Sequence, residues 1–304
     1  MFRITQRSVV VTSLQGLNRN LAGISKLQEQ LTSGKTINKP SDDPTGTHAA
    51  MRTRQDLAAA TQYARNISDG TGVLDTTDST LRGMITQVQK VRDLTVQALN
   101  DGAMSGPSRA AIQTELSGIR ESLLGQANTT VQGQPLFGGV TAGKTAYNVT
   151  TGAYQGLGGT TVPPVPVVPV TRQVSEADAI RVDVTGPEAF GDPASGDLFA
   201  LVGSIATDVV ADPSALAGHL TDLDTALDRM LKAAADIGTR SARMDTAKQV
   251  NADLQLTLTS RSADIENVDL AKTIMNLQMQ QTGYSAALSA TAKAIQPTLL
   301  DFLR

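Results

Sequence analysis

LTSGKTINKPSDDPTG, Leu31 to Gly46, lies between two long helical patterns and carries more turn and capping residues than a plain connection requires. Gly34, just past Leu31, is a natural helix stop, because a residue tolerant of positive φ ends a helix with least strain. Pro40 keeps Lys39 extended. Asp43 before Pro44 reads as an N-cap followed by a proline at the first helical position, so a second helix starts there. By itself the stretch is a hinge between helices. What it serves depends on what the flanking helices leave unburied.

The helix before the hinge, from about Val9 to Leu31, places Val10, Leu14, Leu17, Leu21, Ile24 and Leu31 at alternating steps of four and three, with Gln28 as the polar occupant. Such an a/d stripe cannot be buried by a lone helix. The other end of the chain keeps the same alternation in Leu270, Ile274, Leu277, Gln281, Tyr284, Leu288, Thr291 and Ile295. The two ends are expected to pair, with a Gln in each seam fixing register. Pro297 is expected to turn the final LLDFLR off the helix axis.

From about Thr47 to Leu99 a heptad runs through Ala60, Tyr63, Ile67, Leu74, Leu81, Met84, Val88 and Val91. DGAMSGPSR breaks it, and Pro107 suits a first helical position. Ile112, Leu116, Ile119 and Leu123 then mark a shorter helix. Asp212-Pro213 reads as an N-cap and its following proline, opening a helix with Leu216, Leu220, Leu223, Leu227, Met230, Ala234 and Ile237 on one face and reaching toward Ser260. The middle differs: it is rich in Gly and Thr, and VPPVPVVPV (Val162 to Val170) is an extended connector. Ile180, Val182 and Val184 alternate with charged residues ahead of Gly186-Pro187, which predicts a half-buried strand and a turn, with helix resuming near Asp197. The fold class is therefore mainly α: an elongated helical rod with coiled-coil-like paired N- and C-terminal helices and a small, mostly β insertion. Expected domains are 1–40 with 262–304, 41–139 with 196–261, and the insertion 140–195.

Composition bounds the chemistry. The absence of cysteine in all 304 residues removes disulfides and thiolate metal sites. Of nine aromatic residues, five (Phe137, Tyr147, Tyr154, Phe190 and Phe199) fall in the middle stretch. Residues 1–40 carry six basic side chains against Glu29, and residues 175–236 carry twelve acids against three bases. The basic residues surround an apolar stripe without an aromatic stacking platform, so they read as a solvated helix face and not as a nucleic-acid arm. No apolar segment matches a secretory signal or a membrane span, so export would use another route and no membrane insertion is expected. Gly138, Gly143, Lys144 and Thr145 satisfy the phosphate-loop spacing, a remote nucleotide-binding alternative, but QGQPLF is a poor strand before it and AYNVTTGAYQG a poor helix after it. His48 and His219 have no histidine or cysteine partner nearby in sequence, and no carboxylates form an acid-base pattern. No catalytic, cofactor-binding or metal-binding residue is assigned, and no enzyme activity is expected.

QEQLTSGKTINKPSDDPTG resembles the N-terminal signature of the flagellin family, and Lys39-Pro40-Ser41-Asp42-Asp43-Pro44 is closer in wording to its hook-associated members than to filament flagellins. The likeness recurs in ANTTVQGQPLFGG (Ala127 to Gly139), in GPEAFG (Gly186 to Gly191) and in SRSADIENVDLAKTIMNLQMQQTGYSAALSATAKAIQPTLLDFL near the C-terminus. The resemblance implies an extracellular, secreted component of the bacterial flagellum, a hook-filament junction adaptor on which flagellin assembly nucleates. Filament flagellin itself is the alternative. It implies a homo-oligomeric ring, contacts with the hook-side junction protein (hook-associated protein 1) and with flagellin, an export chaperone and the flagellar type III export apparatus. Paired terminal helices would line an inner tube and order only on assembly. The assembly seam is then Val10, Leu14, Leu17, Leu21, Ile24 and Leu31 with Leu270, Ile274, Leu277, Tyr284, Leu288 and Ile295; Gly34, Pro40, Asp42, Asp43 and Pro44 form the family's motif and hinge.

Overall fold

The computed structural model describes residues 6–100, 105–140, 143–156, 168–192 and 196–295. Pro297, the LLDFLR tail and most of the Val162 to Val170 connector lie outside them. The chain divides into two compact units, Met1–Ala59 with Leu254–Arg304, and Ala60–Asp253. Two long helices, α2 (Pro44–Leu99) and α6 (Leu216–Glu266), have residues in both.

The first unit adds α1 (Gln6–Ser33) and α7 (Leu270–Ile295), which pack along one another. α1 stops where expected: Gly34 takes a φ of +68°, the left-handed turn that a side chain would strain. α2 also starts where expected. The Gly46 N–H donates to Asp43 Oδ1 at 2.9 Å, and a Cβ on Gly46 would stand 2.4 Å from Asp43 Oδ2 and 2.7 Å from Ile37 Cδ1. Gly46 is thus the residue over which the cap and Ile37 close.

The second unit holds the core. The heptad of α2 is buried as predicted, with Ile67, Leu74, Leu81, Met84, Val88 and Val91 closed off from solvent; Gly70 and Thr77 fill the levels the apolar pattern leaves open. α3 (Gly106–Ala127) buries Ile112, Leu116, Ile119 and Leu123; Ser105 caps it, and Pro107 follows Gly106 into the first turn. A tight hairpin follows, β1 (Thr130–Val131) with β2 (Gln134–Pro135), turning on Gln132 and Gly133 at φ 53° and 79°. These two positive angles suit the strand twist. β3 (Thr171–Gln173) pairs antiparallel with β4 (Ala179–Arg181). Then come α4 (Gly186–Phe190) and α5 (Leu198–Ala211), which packs on α3 and is capped by Asp197. Asp212 opens a 3-10 turn, Pro213–Ala215, that leads into α6, and α6 continues past Ser260 to Glu266.

Two expectations for the middle segment are corrected. Gly186-Pro187 begins a helix where a turn was predicted, because the Glu188 carboxylate accepts the Thr185 N–H at 3.0 Å and caps it. Asp183, assigned to the exposed face of the strand, is buried. Its carboxylate extends the ladder past β4, accepting the Val170 N–H at 2.9 Å and Arg181 Nε at 2.8 Å. The segment also shares its core with the helices: Phe137, Phe190, Tyr147 and Phe199 meet edge to face, with ring centroids 4.9 Å apart for Phe137–Phe190 and 4.7 Å for Tyr147–Phe199. The cluster of middle aromatics is the joint between the irregular segment and the helices.

Leu81→Ala should lower the stability of this unit by about 2–5 kcal/mol, since a fully buried leucine leaves a cavity that packed helices do not collapse. Urea unfolding should show a lower midpoint at an unchanged slope.

Candidate functional site at the double hinge

The α1–α2 hinge and the α6–α7 hinge are tied to each other. Val268 N donates to Gly34 O at 3.0 Å and Thr36 N to Glu266 O at 2.7 Å, with an antiparallel bridge between Lys35 and Asn267. Thr36 Oγ1 adds a bond to Asn267 O at 3.0 Å, and Gln30 Nε2 one to Thr36 O at 2.9 Å. Two turns far apart in sequence thereby make a short two-stranded ladder. Asp269 caps α7 through Lys272 N at 3.1 Å.

Glu266 is the centre of this joint. Its side chain is only 4% exposed, and it is held by Arg54 in a two-pronged pair, Nε to Oε1 at 2.7 Å and Nη2 to Oε2 at 2.8 Å, with Lys35 on Oε2. The Arg54 hydrogen bonds, aided by Lys35, hold the Glu266 carboxyl at about 2. Losing either cation would leave a carboxylate partly uncompensated and closed off from water. Around the joint, Lys26 holds Asp42 at 3.1 Å and Lys39 holds Glu29 at 3.3 Å. The Lys26 hydrogen bond, with the Lys39 amide, keeps the Asp42 carboxyl below its usual range. These outer pairs are solvated and add little to stability. Pro40 is exposed between them.

The seam between α1 and α7 runs antiparallel, because Lys35 meets Asn267 while Asn20 meets Gln280. Its phase differs from the sequence reading at every second position. The half-buried residues are Ser13, Leu17, Asn20, Ile24, Leu27 and Leu31 on α1, and Leu277, Gln280, Tyr284, Ala287 and Thr291 on α7, with Thr273 fully buried. Leu17, Ile24, Leu31, Leu277 and Tyr284 therefore lie on the inner seam, and Val10 is half-buried. Leu14 and Leu21 are 51% and 52% exposed, Ile274 and Leu288 46% and 44%, and Leu270 and both expected polar occupants, Gln28 and Gln281, also face solvent. The Ile295 side chain lies outside the described residues. The polar layer is instead Gln280 Nε2 donating to Asn20 Oδ1 at 3.1 Å, opposite Gly23, where a Cβ would come within 3.0 Å of Gln280 Nε2. Small and amide side chains let the helices approach, and the larger side chains one step round the helix are left outside.

That displacement makes a surface. In an antiparallel pair the positions one step past each seam residue fall on the same flank of both helices. Leu14, Leu21, Ile274 and Leu288 therefore form one apolar stripe along the pair. Met275 and Met279 are exposed beside it on α7.

The phosphate-loop spacing does not make the matching geometry. Thr145 Oγ1 bonds Gln155 Oε1 at 3.0 Å, and the chain continues into an antiparallel bridge between Tyr147 and Tyr154 where a helix would have to start. His219 pairs with Asp208 at 2.8 Å, joining α5 to α6.

The terminal helical pair is thus closed at a two-turn joint and keeps an apolar flank exposed to solvent. The chain matches the bacterial flagellin N-terminal helical region over residues 4–142 and the C-terminal helical region over residues 220–303. It belongs to the flagellin family. Flagellar hook-associated protein 3 of Salmonella typhimurium is 27% identical over 315 residues, which cover 96% of this chain and 95% of that protein. Flagellin of Escherichia coli is 34% identical over 137 residues, but the match spans 45% of this chain and 26% of that one. The fold also resembles the crystal structure of Bacillus cereus FlgL, with a TM-score of 0.58 at 23% identity, covering 70% of this chain and 99% of the other. This protein is a component of the bacterial flagellum.

Sequence reasoning missed Lys35, Arg54 and Glu266, and the Asn20–Gln280 layer. Because folding depresses the Glu266 carboxyl, its contribution is complete above about pH 4.5 and disappears as pH falls toward 2. After allowance for the exposed cations it amounts to about 2 kcal/mol. In Glu266→Gln at neutral pH, amide exchange at Thr36 and Val268 should accelerate by about thirtyfold. Unchanged protection would remove the joint's electrostatic role.

Proposed function

We propose that this protein is the structural adaptor at the hook-filament junction, a ring of copies on which filament flagellin nucleates. It acts by burial and not by catalysis. The observation that carries this reading is the uncovered stripe on the terminal pair. Among the described side chains none on α1 is fully buried, and on α7 only Thr273 is. Ordering each residue costs about 1–2 kcal/mol of backbone entropy, and half-exposed seam residues recover little of it. Neighbouring copies would supply the missing burial by covering Leu14, Leu21, Ile274 and Leu288.

In this reading residues 1–40 and 262–304 form the inner layer, residues 41–139 and 196–261 the surrounding helical layer, and residues 140–195 the outer face. The hook-side partner is hook-associated protein 1 and the distal partner is flagellin. An export chaperone delivers the chain to the flagellar type III apparatus, and the finished adaptor is extracellular.

Deleting the gene should leave bare hooks and flagellin shed into the medium, seen by electron microscopy; intact filaments would rule the role out. Leu21→Asp in the full chain should abolish filament attachment while the purified protein keeps its helix content and urea midpoint, since Leu21 faces solvent in the single chain. Attached filaments on that variant would show that the stripe is not the assembly surface.

A further inference from the structure

The start of α5 buries a carboxylate that no cation holds. Asp197 is 9% exposed and caps α5, accepting the Phe199 N–H at 3.3 Å, with the Ala200 N–H as a second donor. Two arginines approach it from α3 and α6, and both are committed to carbonyl oxygens instead. Arg120 donates through Nε to Phe199 O at 2.9 Å, and Arg229 through Nη1 to Gly196 O at 3.1 Å. Glycines close in on both guanidinium groups. A Cβ on Gly152 or Gly203 would stand 3.2 or 3.3 Å from Arg120, and Gly191 has no room for one beside Arg229. The two cations are thus wedged near the carboxylate without pairing with it, and among the described residues Asp197 makes no ion pair.

The other groups around it are apolar or unable to neutralise a charge. Phe199 lies against Tyr147 and Phe190 in the aromatic joint, with ring centroids 4.7 and 5.5 Å away. Tyr147 is fully buried and its hydroxyl has no hydrogen-bond partner among the described residues; burial pushes that phenol up, so it stays neutral. Asp192, from the middle segment, is half-buried and of the same sign as Asp197. Taking an ionised carboxylate out of water into such surroundings is costly, whereas the protonated acid is tolerated and has an O–H to donate. Burial accordingly pushes Asp197 up to about 6, against the two amide bonds and the pull of Arg120 and Arg229.

We propose that the first turn of α5 is a proton-operated latch, seated on the aromatic joint when Asp197 is neutral and loosened when it is ionised. Folding raises this carboxyl, so its contribution to stability is complete below about pH 3.8 and is lost as pH rises through about 6. Glu266 behaves in the reverse sense, its contribution being complete above about pH 4.5. The two carboxylates therefore set opposite limits: strong acid loosens the double hinge, and neutrality loosens the start of α5. The latch is a property of the folded chain and does not depend on the adaptor reading.

Hydrogen exchange of the purified full chain tests the latch. Corrected for intrinsic rates, protection of the Phe199, Ala200 and Leu201 amides should fall about tenfold between about pH 5 and about pH 7.5. Glu266 is ionised throughout that range. Asp197→Asn keeps a capping oxygen but cannot ionise, so it should hold the acid-side protection at both ends. Histidine also titrates near neutrality, and His219 bonds Asp208 at the other end of α5 at 2.8 Å. A slope that persists in Asp197→Asn would assign the effect to that pair and overturn the latch, as would equal protection at both pH values in the native chain. The carboxyl-carbon resonance of Asp197 in the native protein gives a reading that needs no variant. It should titrate near pH 6; titration already complete below about pH 5 defeats the proposal even where Asp197→Asn fails to fold.

Discussion

The carboxylate of Glu266, shut away from water between Lys35 and Arg54, ties residues 231 positions apart in the chain. Without this tie the terminal helices would be two independent tails. Once the two turns are laddered together, α1 and α7 leave the joint side by side, and bringing their seams together no longer requires closing a loop of most of the chain. Loop closure grows only logarithmically with length, but the search it represents must still be completed before weak seam contacts return anything. A buried, doubly paired carboxylate is sensitive to the loss of either partner and specific in geometry. It therefore fixes an alignment that the half-buried seam is too weak to impose.

The two units differ in how they are stabilised. Ala60–Asp253 is closed by continuous burial, with leucines, three methionines and four aromatic rings removed from solvent. Met1–Ala59 with Leu254–Arg304 depends on the joint, its caps and a partly solvated seam. The long helices supply residues to both units, so the same heptad habit yields a finished core in one and an unfinished one in the other. What differs is the partner: α2 between Ile67 and Val91 is covered by residues of several elements, whereas α1 meets essentially α7. A two-helix pair cannot surround either member.

Much of this was legible because local rules and period agree. Gly34 had to accept positive φ, and Asp43-Pro44 had to open a helix. The α2 and α3 seams were fixed because only one face carries large apolar groups, and the concentration of aromatics in the middle marked a different kind of packing. The terminal seam was harder for a physical reason. Positions 14, 21 and 28 and positions 13, 20 and 27 lie one step apart on the same helix, and counting apolar residues favours the first set. The fold takes the second, because Asn20 against Gly23 and Gln280 lets the backbones approach. Glu266 was illegible, since nothing in SADIEN announces two cations arriving from Lys35 and Arg54. The capping signal from Thr185 to Glu188 was present in the sequence but hidden by the turn reading of Gly186-Pro187.

The inverted seam has a consequence for assembly. A pair that enclosed Leu14, Leu21, Ile274 and Leu288 would bury its best apolar side chains within one chain and leave neighbours little to gain. Enclosing Asn20, Gly23, Gln280 and Ala287 gives the pair one preferred register at low stability, since a half-buried amide pair penalises slippage more than it rewards closure. The leucines and isoleucine are then held in reserve on a flank whose alignment the amide layer and the Glu266 joint have already set. In the proposed adaptor, stability is deferred from the single chain to the contact between chains. The register of that contact is written into the residues that do not take part in it.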